Sequence, residues 1–438
     1  MRFAVLLALL PASALAYPTD PSEQERTEIR RLKWQQDINS GERRGRKVPT
    51  GAQWSTDRIE LKLLEQTEFE LTAETSTDPE LQDALEKILK RSRFRRYNIA
   101  VLDITDPNEP RLAAVNGTRG QTPGSVAKVL VAGALFNELA KRFPNDVAAR
   151  ERLLREHSVS ADDWAMPNHH EVPVVKGERT SIRKVYKGDT FTLWEWIDHA
   201  LSPSSNASAS MVWREATLMR LMGEEYPPAE YGPKLYSRWD RETWTTASFD
   251  AVTEPIVRAG LDPELFFLKM YFTKNANRYI RSAASRATPI GVVAWMVKVE
   301  QGKMIDRWSS QELKKMLYLT RRRVRYLGTR KLDAHAAFFK SGSLYQCKPE
   351  PGYTCIAYQG NVVNVLNSLV EIETAPPPPD ESSASPEPFT PEVDSPAPER
   401  YRPHVYIVAV MSNELKRNAA MDHARLAEQV HAVITGEK

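Results

Sequence analysis

Ser125 and Lys128 stand three residues apart where an apolar run begins, in Thr122-Pro123-Gly124-Ser125-Val126-Ala127-Lys128. On a helix that spacing puts a hydroxyl and an amine on one face. A serine hydroxyl attacks a carbonyl only when a base takes its proton, and a lysine can be that base once burial or a second cation strips its charge. Lys340 is the obvious second cation. It opens Lys340-Ser341-Gly342-Ser343 after the apolar residues 336–339. A lysine and a hydroxyl on a strand edge can hold a substrate carboxylate, and a glycine lets a ligand approach the backbone. Between these two motifs lies Ser204-Ser205-Asn206, whose hydroxyl can relay a proton and whose amide can bind a substrate amide. Each motif alone also has a plain structural reading, as a helix pair, an N-cap or a strand-edge lysine; the weight lies in their order and context. A second Ser-x-x-Lys, Ser181-Ile182-Arg183-Lys184, has no apolar helix after it and reads as coincidence. His169-His170 has no third ligand near it in sequence and reads as a surface loop, so no metal site is expected.

The elements that must carry these groups follow from periodicity. Residues 81–89 repeat apolar positions at helical spacing, and 97–104 and 111–115 read as a strand pair around an Asp-Pro-Asn turn. The run from 126 to 136 reads as a buried helix. From about 145 to 330 the signals are mainly helical, with helices expected over 292–299 and 309–318. Strands return at 336–340, 353–358, 362–372 and 404–411, and a last helix covers about 418–434. This order predicts an α/β fold of three layers, α-β-α: one antiparallel sheet, flanking N- and C-terminal helices, and an inserted all-helical subdomain.

Around that core, residues 1–16 carry a positive start, an apolar stretch and Ala14-Leu15-Ala16, the pattern of a signal peptide cut before Tyr17. A periplasmic or secreted, bacterial location follows as an expectation. Residues 17–78 are polar and read as an N-terminal extension of solvated or partly disordered surface, with a strand-like piece at 59–64. The catalytic domain is expected over 79–438, with a disordered Pro-rich loop at about 375–400. Cys347 and Cys355 flank a Pro-Gly turn that can bring them together, and export favours a disulfide. The formal charge of +3 gives no case for nucleic acid, and no run of about 20 apolar residues offers a membrane span. A monomer without cofactor is expected.

The three motifs together resemble those of the serine β-lactamase and penicillin-binding protein superfamily, closest to its class A β-lactamase-like branch. Ser204 to Ala209 is similar to the family's S-D-N-x-A-A stretch, with Ser205 in place of the aspartate. Ala287-Thr288-Pro289 with its helix, Gly302 to Ile305, and residues 404–413 resemble further family segments, so that the likeness spans roughly 80–438. It implies Ser125 as the acylated nucleophile, Lys128 as general base and Ser204 as proton relay to the leaving nitrogen. Asn206 would bind the substrate amide, Lys340 and Ser341 its carboxylate, and the backbone N–H groups of Ser125 and Ser343 the oxyanion. The partner would be a β-lactam or a peptidoglycan stem peptide. The chain departs from the family in lacking the E-x-x-L-N loop glutamate that activates the deacylating water; Glu242 is the nearest candidate. Hydrolysis of a β-lactam amide at Ser125 is the leading expectation. A D,D-peptidase or transpeptidase, and behind it a catalytically silent cell-wall binding protein, are the alternatives.

Overall fold

The computed structural model describes residues 21–90, 94, 96–177, 179–375 and 403–437. The expected signal peptide and nearly all of the Pro-rich loop lie outside the described residues. The central sheet has five antiparallel strands in the spatial order Arg111–Val115, Asn98–Asp103, Val405–Asn413, Val363–Glu373 and Ala336–Gln346. Two inner strands, Asn98–Asp103 and Val405–Asn413, are mostly apolar because both of their faces are covered, whereas Val363–Glu373 also carries Asn364, Asn367, Ser368, Glu371 and Glu373.

Successive side chains point to opposite faces, which sorts the strands into two cores. Ile99, Val101, Tyr406, Val408 and Val410 pack under helices Pro79–Leu89 and Ala420–Thr435. Ala100, Leu102, Ile407, Ala409 and Met411 join the larger core beneath helices Lys128–Arg142 and Pro289–Glu300. The architecture is therefore the three-layer α-β-α arrangement. Side-chain caps start two of these four helices: Asp78 accepts from Leu81 N ahead of Pro79, and Thr288 accepts from Gly291 N ahead of Pro289.

Three expectations change. The block from about 145 to 330 is not wholly helical, since it contains the hairpin Glu171–Lys176 with Arg179–Lys184 and two shorter strand pairs. Residues 353–358 form no strand: only a Glu350–Tyr353 bridge is made inside the loop closed by the Cys347–Cys355 disulfide, whose Cα atoms are 6.1 Å apart. The polar N-terminal segment is not a solvated arm. Ile29, Leu32 and Leu63 are fully buried in the larger core, and Arg31 donates to both oxygens of buried Asp198 and to Leu319 O. Arg26 meets Glu23, Glu151 and Glu312. Residues 59–64 are irregular rather than a strand, held by Leu63 N to Glu300 O. No helix among the described residues is long and apolar enough to cross a membrane.

Candidate active site

The serine's turn and the edge strand touch backbone to backbone. Gly124 has φ +54°, and a Cβ there would lie 2.9 Å from Ser343 N. A Cβ on Gly342 would lie 2.4 Å from Pro123 O and 3.0 Å from Ser125 N. Only glycine allows that approach at either position. Buried Asn367, on the neighbouring strand, clamps the turn from below by donating to Thr122 O at 2.9 Å and Pro123 O at 3.1 Å. Gln121 in turn donates to Asn367 Oδ1 at 2.6 Å.

Ser125 lies half-buried in the short 3₁₀ turn Gly124–Ala127, which leads directly into the helix Lys128–Arg142. Lys128 is fully buried. Its Nζ donates to Ser204 O at 2.5 Å, Asn206 Oδ1 at 2.8 Å and Ser204 Oγ at 3.3 Å. Lys340 is buried as well and donates to Ser204 Oγ at 2.8 Å and Ser341 O at 2.9 Å. The Ser204 hydroxyl thus lies between two amines. Its backbone is left-handed at φ +65°, a conformation unusual for a non-glycine residue and held here by these contacts. Ser205, the residue that departs from the family pattern, turns away from the cluster: its Oγ accepts from Ser208 N at 3.1 Å and caps the helix Asn206–Met222.

Sequence reasoning singled out these motif residues and missed four others. Arg325 is half-buried near Lys340 and donates to Gly342 O at 2.6 Å. The Phe272 ring faces Lys128, with its centroid 4.9 Å from Nζ. Asn367 clamps the turn. His170, read as part of a surface pair, turns inward with Nδ1 buried and without a hydrogen-bond partner, while His169 stays exposed. His170 did leave a signal, as an imidazole in the interval between two motifs, whereas Asn367 is one of five polar residues in its strand and did not stand out. Phe272 and Arg325 left none.

Charge in the cluster is one-sided. Burial, and then the nearby Lys340, push Lys128 well below the ordinary lysine range. Burial, Arg325 and Arg322 do the same to Lys340. Burial, with Arg322 beside it, brings Arg325 down to about 10. Burial and then the two lysines bring His170 down to about 3, which leaves a neutral imidazole at pH 7. Among the described residues no carboxylate hydrogen-bonds to Ser125, Lys128, Ser204 or Lys340. Glu242 is not brought into the cluster. It lies in the first turn of the helix Arg241–Arg258, mostly exposed, and pairs with Arg281 at 3.0 Å. Among the described residues no group of His, Cys, Asp and Glu has the makings of a metal site.

No family model and no curated protein matches the sequence. Solved structures do match. The TLA-3 extended-spectrum β-lactamase aligns at 14% identity over 82% of this chain and 99% of its own, with a TM-score of 0.50. The TLA-1 extended-spectrum β-lactamase aligns at 14% identity over 83% and 100%, also with a TM-score of 0.50. A β-lactamase from Sphaerobacter thermophilus DSM 20745 gives 14% identity over 81% and 96%, with a TM-score of 0.49. The chain has the β-lactamase fold.

Proposed function

We propose that this chain is a serine acyl-transfer enzyme of the penicillin-recognising kind, and that its acyl-enzyme is long-lived, as in a D,D-peptidase rather than a β-lactamase. The observation that carries this reading is the pair of buried lysines around Ser204, with an aromatic ring facing Lys128 and, among the described residues, no carboxylate hydrogen-bonded to it.

In this reading Lys128, uncharged because it is buried beside Lys340, takes the proton of Ser125 as the hydroxyl attacks a substrate amide. The Ser204 hydroxyl, between the two lysines, passes a proton to the leaving nitrogen. Asn206 holds the substrate amide, and Lys340, Ser341 and Arg325 receive its carboxylate. The backbone N–H groups of Ser125 and Ser343, brought close by Gly124 and Gly342, hold the oxyanion, a contribution of about 10²–10³ in rate for one such donor. The second half-reaction needs a base for water, and Phe272 cannot supply one. Export after cleavage before Tyr17, a catalytic unit over 79–438, a β-lactam or stem-peptide ligand and a monomeric state belong to the same proposal.

A fluorescent penicillin and nitrocefin test it together. The expected result is a persistent one-to-one adduct on Ser125, absent in Ser125→Ala, with slow nitrocefin turnover. Rapid multiple turnover would move the protein to the β-lactamase reading, and no adduct at all would remove both enzymatic readings.

A further inference from the structure

A second concentration of positive charge lies outside the candidate active site. Residues 42–47 and 171–184 together hold eight basic and three acidic side chains, a net +5 in a chain whose total is +3. The fold brings the two segments together. After the helix Arg30–Ser40 the chain turns at Gly41 and folds back, with Asn39 Oδ1 accepting from Val48 N and Gln35 donating to Arg46 O. Gly45 packs so closely on Ile38 that a Cβ there would meet its side chain at 2.5 Å. Arg30 donates to Val175 O at 3.1 Å and ties this helix to the hairpin.

Between loop and hairpin lies a cleft of about 530 Å³. Arg43, Lys176, Arg179, Arg183, Thr180 and Ser181 line it, and Val174 also contributes to its wall. Lys176 and Arg179 are paired directly across the two strands, as are Val172 and Arg183. Like charges set opposite each other in a ladder are destabilising, so the Lys176–Arg179 pair is unfavourable for the hairpin by itself. Asp189 grips Arg183 with two hydrogen bonds, at 2.6 and 2.8 Å, and fixes its guanidinium over Tyr186. Arg43 has Asp37 at 3.8 Å. The cleft therefore combines anchored cations, hydroxyl donors and a repulsion that an anion would relieve.

We propose that this cleft binds a linear polyanion whose charge comes from phosphates strung on a polyol or sugar backbone. Several cations spread along a hairpin suit a repeating charge better than a single carboxylate. A bilayer would require large apolar side chains at the tip, whereas the exposed Ile182 sits on the opposite face of the strand from Lys176, Arg179 and Arg183. The site is independent of acylation at Ser125, so each proposal can fail without the other.

The test measures binding of fluorescent poly(glycerol phosphate) to the purified chain at 50 mM and 200 mM salt. Binding is expected at the lower salt and should weaken at the higher, as counterion release requires. Lys176→Glu with Arg179→Glu should weaken it about tenfold or more and flatten the salt dependence, with the thermal midpoint unchanged or raised. No binding at 50 mM salt, or equal binding by the double variant, would overturn the proposal. So would tighter binding to phosphatidylglycerol vesicles or to an oligonucleotide of matched charge.

Discussion

Buried cations occur in two regions of this molecule, and they behave in opposite ways. In the framework each has carboxylates. Lys314 lies between Glu300 at 2.7 Å and Glu371 at 2.8 Å, with all three side chains shut from solvent. Arg214 meets Glu215 at 2.6 Å and Asp162 at 2.8 Å, and Arg31 meets Asp198. Burial alone would push Lys314 and Arg214 down, but their carboxylates win and hold both above the ordinary range. In the candidate site Lys128 and Lys340 are as deeply buried, among the described residues no carboxylate hydrogen-bonds to either, and both are pushed down, as is half-buried Arg325 behind them. The partner, not the depth, decides whether a buried lysine stays charged. A fold that pairs its buried charges elsewhere and leaves a cluster unpaired in one place is giving up stability there for chemistry.

The contrast can be broken from either side. The largest effect is expected from Lys128→Met, which should slow adduct formation about 10²–10⁴-fold yet leave unfolding in denaturant unchanged or shifted to higher concentration, since an unpaired cation is removed. Lys314→Met is the mirror experiment. It strands two buried carboxylates and should cost about 3–5 kcal/mol in denaturant unfolding, with acylation unchanged wherever the variant is folded.

Phe272→Glu would make the site resemble the framework. A carboxylate beside Lys128 favours its charged form, so the rise of acylation rate with pH should move to higher pH. If the new carboxylate also reaches the deacylating water, the half-life of the penicillin adduct should shorten; stopped-flow labelling across pH 6 to 10 reads both. Linkage gives the same contrast a sign. Lys128 is depressed in the folded state, so the unfolded chain holds the extra proton between that lowered value and the ordinary lysine range, and stability rises with pH across this window. Lys128→Met should flatten that rise. The smallest effect is that of Ser205→Ala, which removes a helix cap and should lower stability by about 1 kcal/mol, measured by thermal unfolding.

Much of the cluster was legible because its motifs hold particular residue types in a fixed order. Ser125, Lys128, Ser204, Asn206 and Lys340 announce themselves by motif, and the structure gathers the two lysines, Ser204 and Asn206 through hydrogen bonds. The strands Asn98–Asp103 and Val405–Asn413 were legible as mostly apolar runs, since a strand covered on both faces has no polar side to alternate. The N-terminal segment was not, because its arginines look solvated until their carboxylates are known, and Asp198 lies 167 residues beyond Arg31. Residues 353–358 have strand composition, but the disulfide Cys347–Cys355 closes a loop that turns at Gly352, φ +73°, and takes in the first three of them. Phe272 escaped because a ring opposite a lysine obeys no local pattern; its meaning comes only from what stands across the cluster.

The contact between Gly124 and Gly342 has a consequence for the outer strand of the sheet. Ala336–Gln346 is an outer strand of the sheet, and an outer strand invites pairing with another chain. The turn that carries Ser125 lies across its middle, close enough that one methyl group on Gly342 would collide with it. The Ser125 turn is therefore seated on this strand and on Asn367 of the strand beside it, and a variant that loosens the turn should unsettle the outer strand as well as lose penicillin labelling.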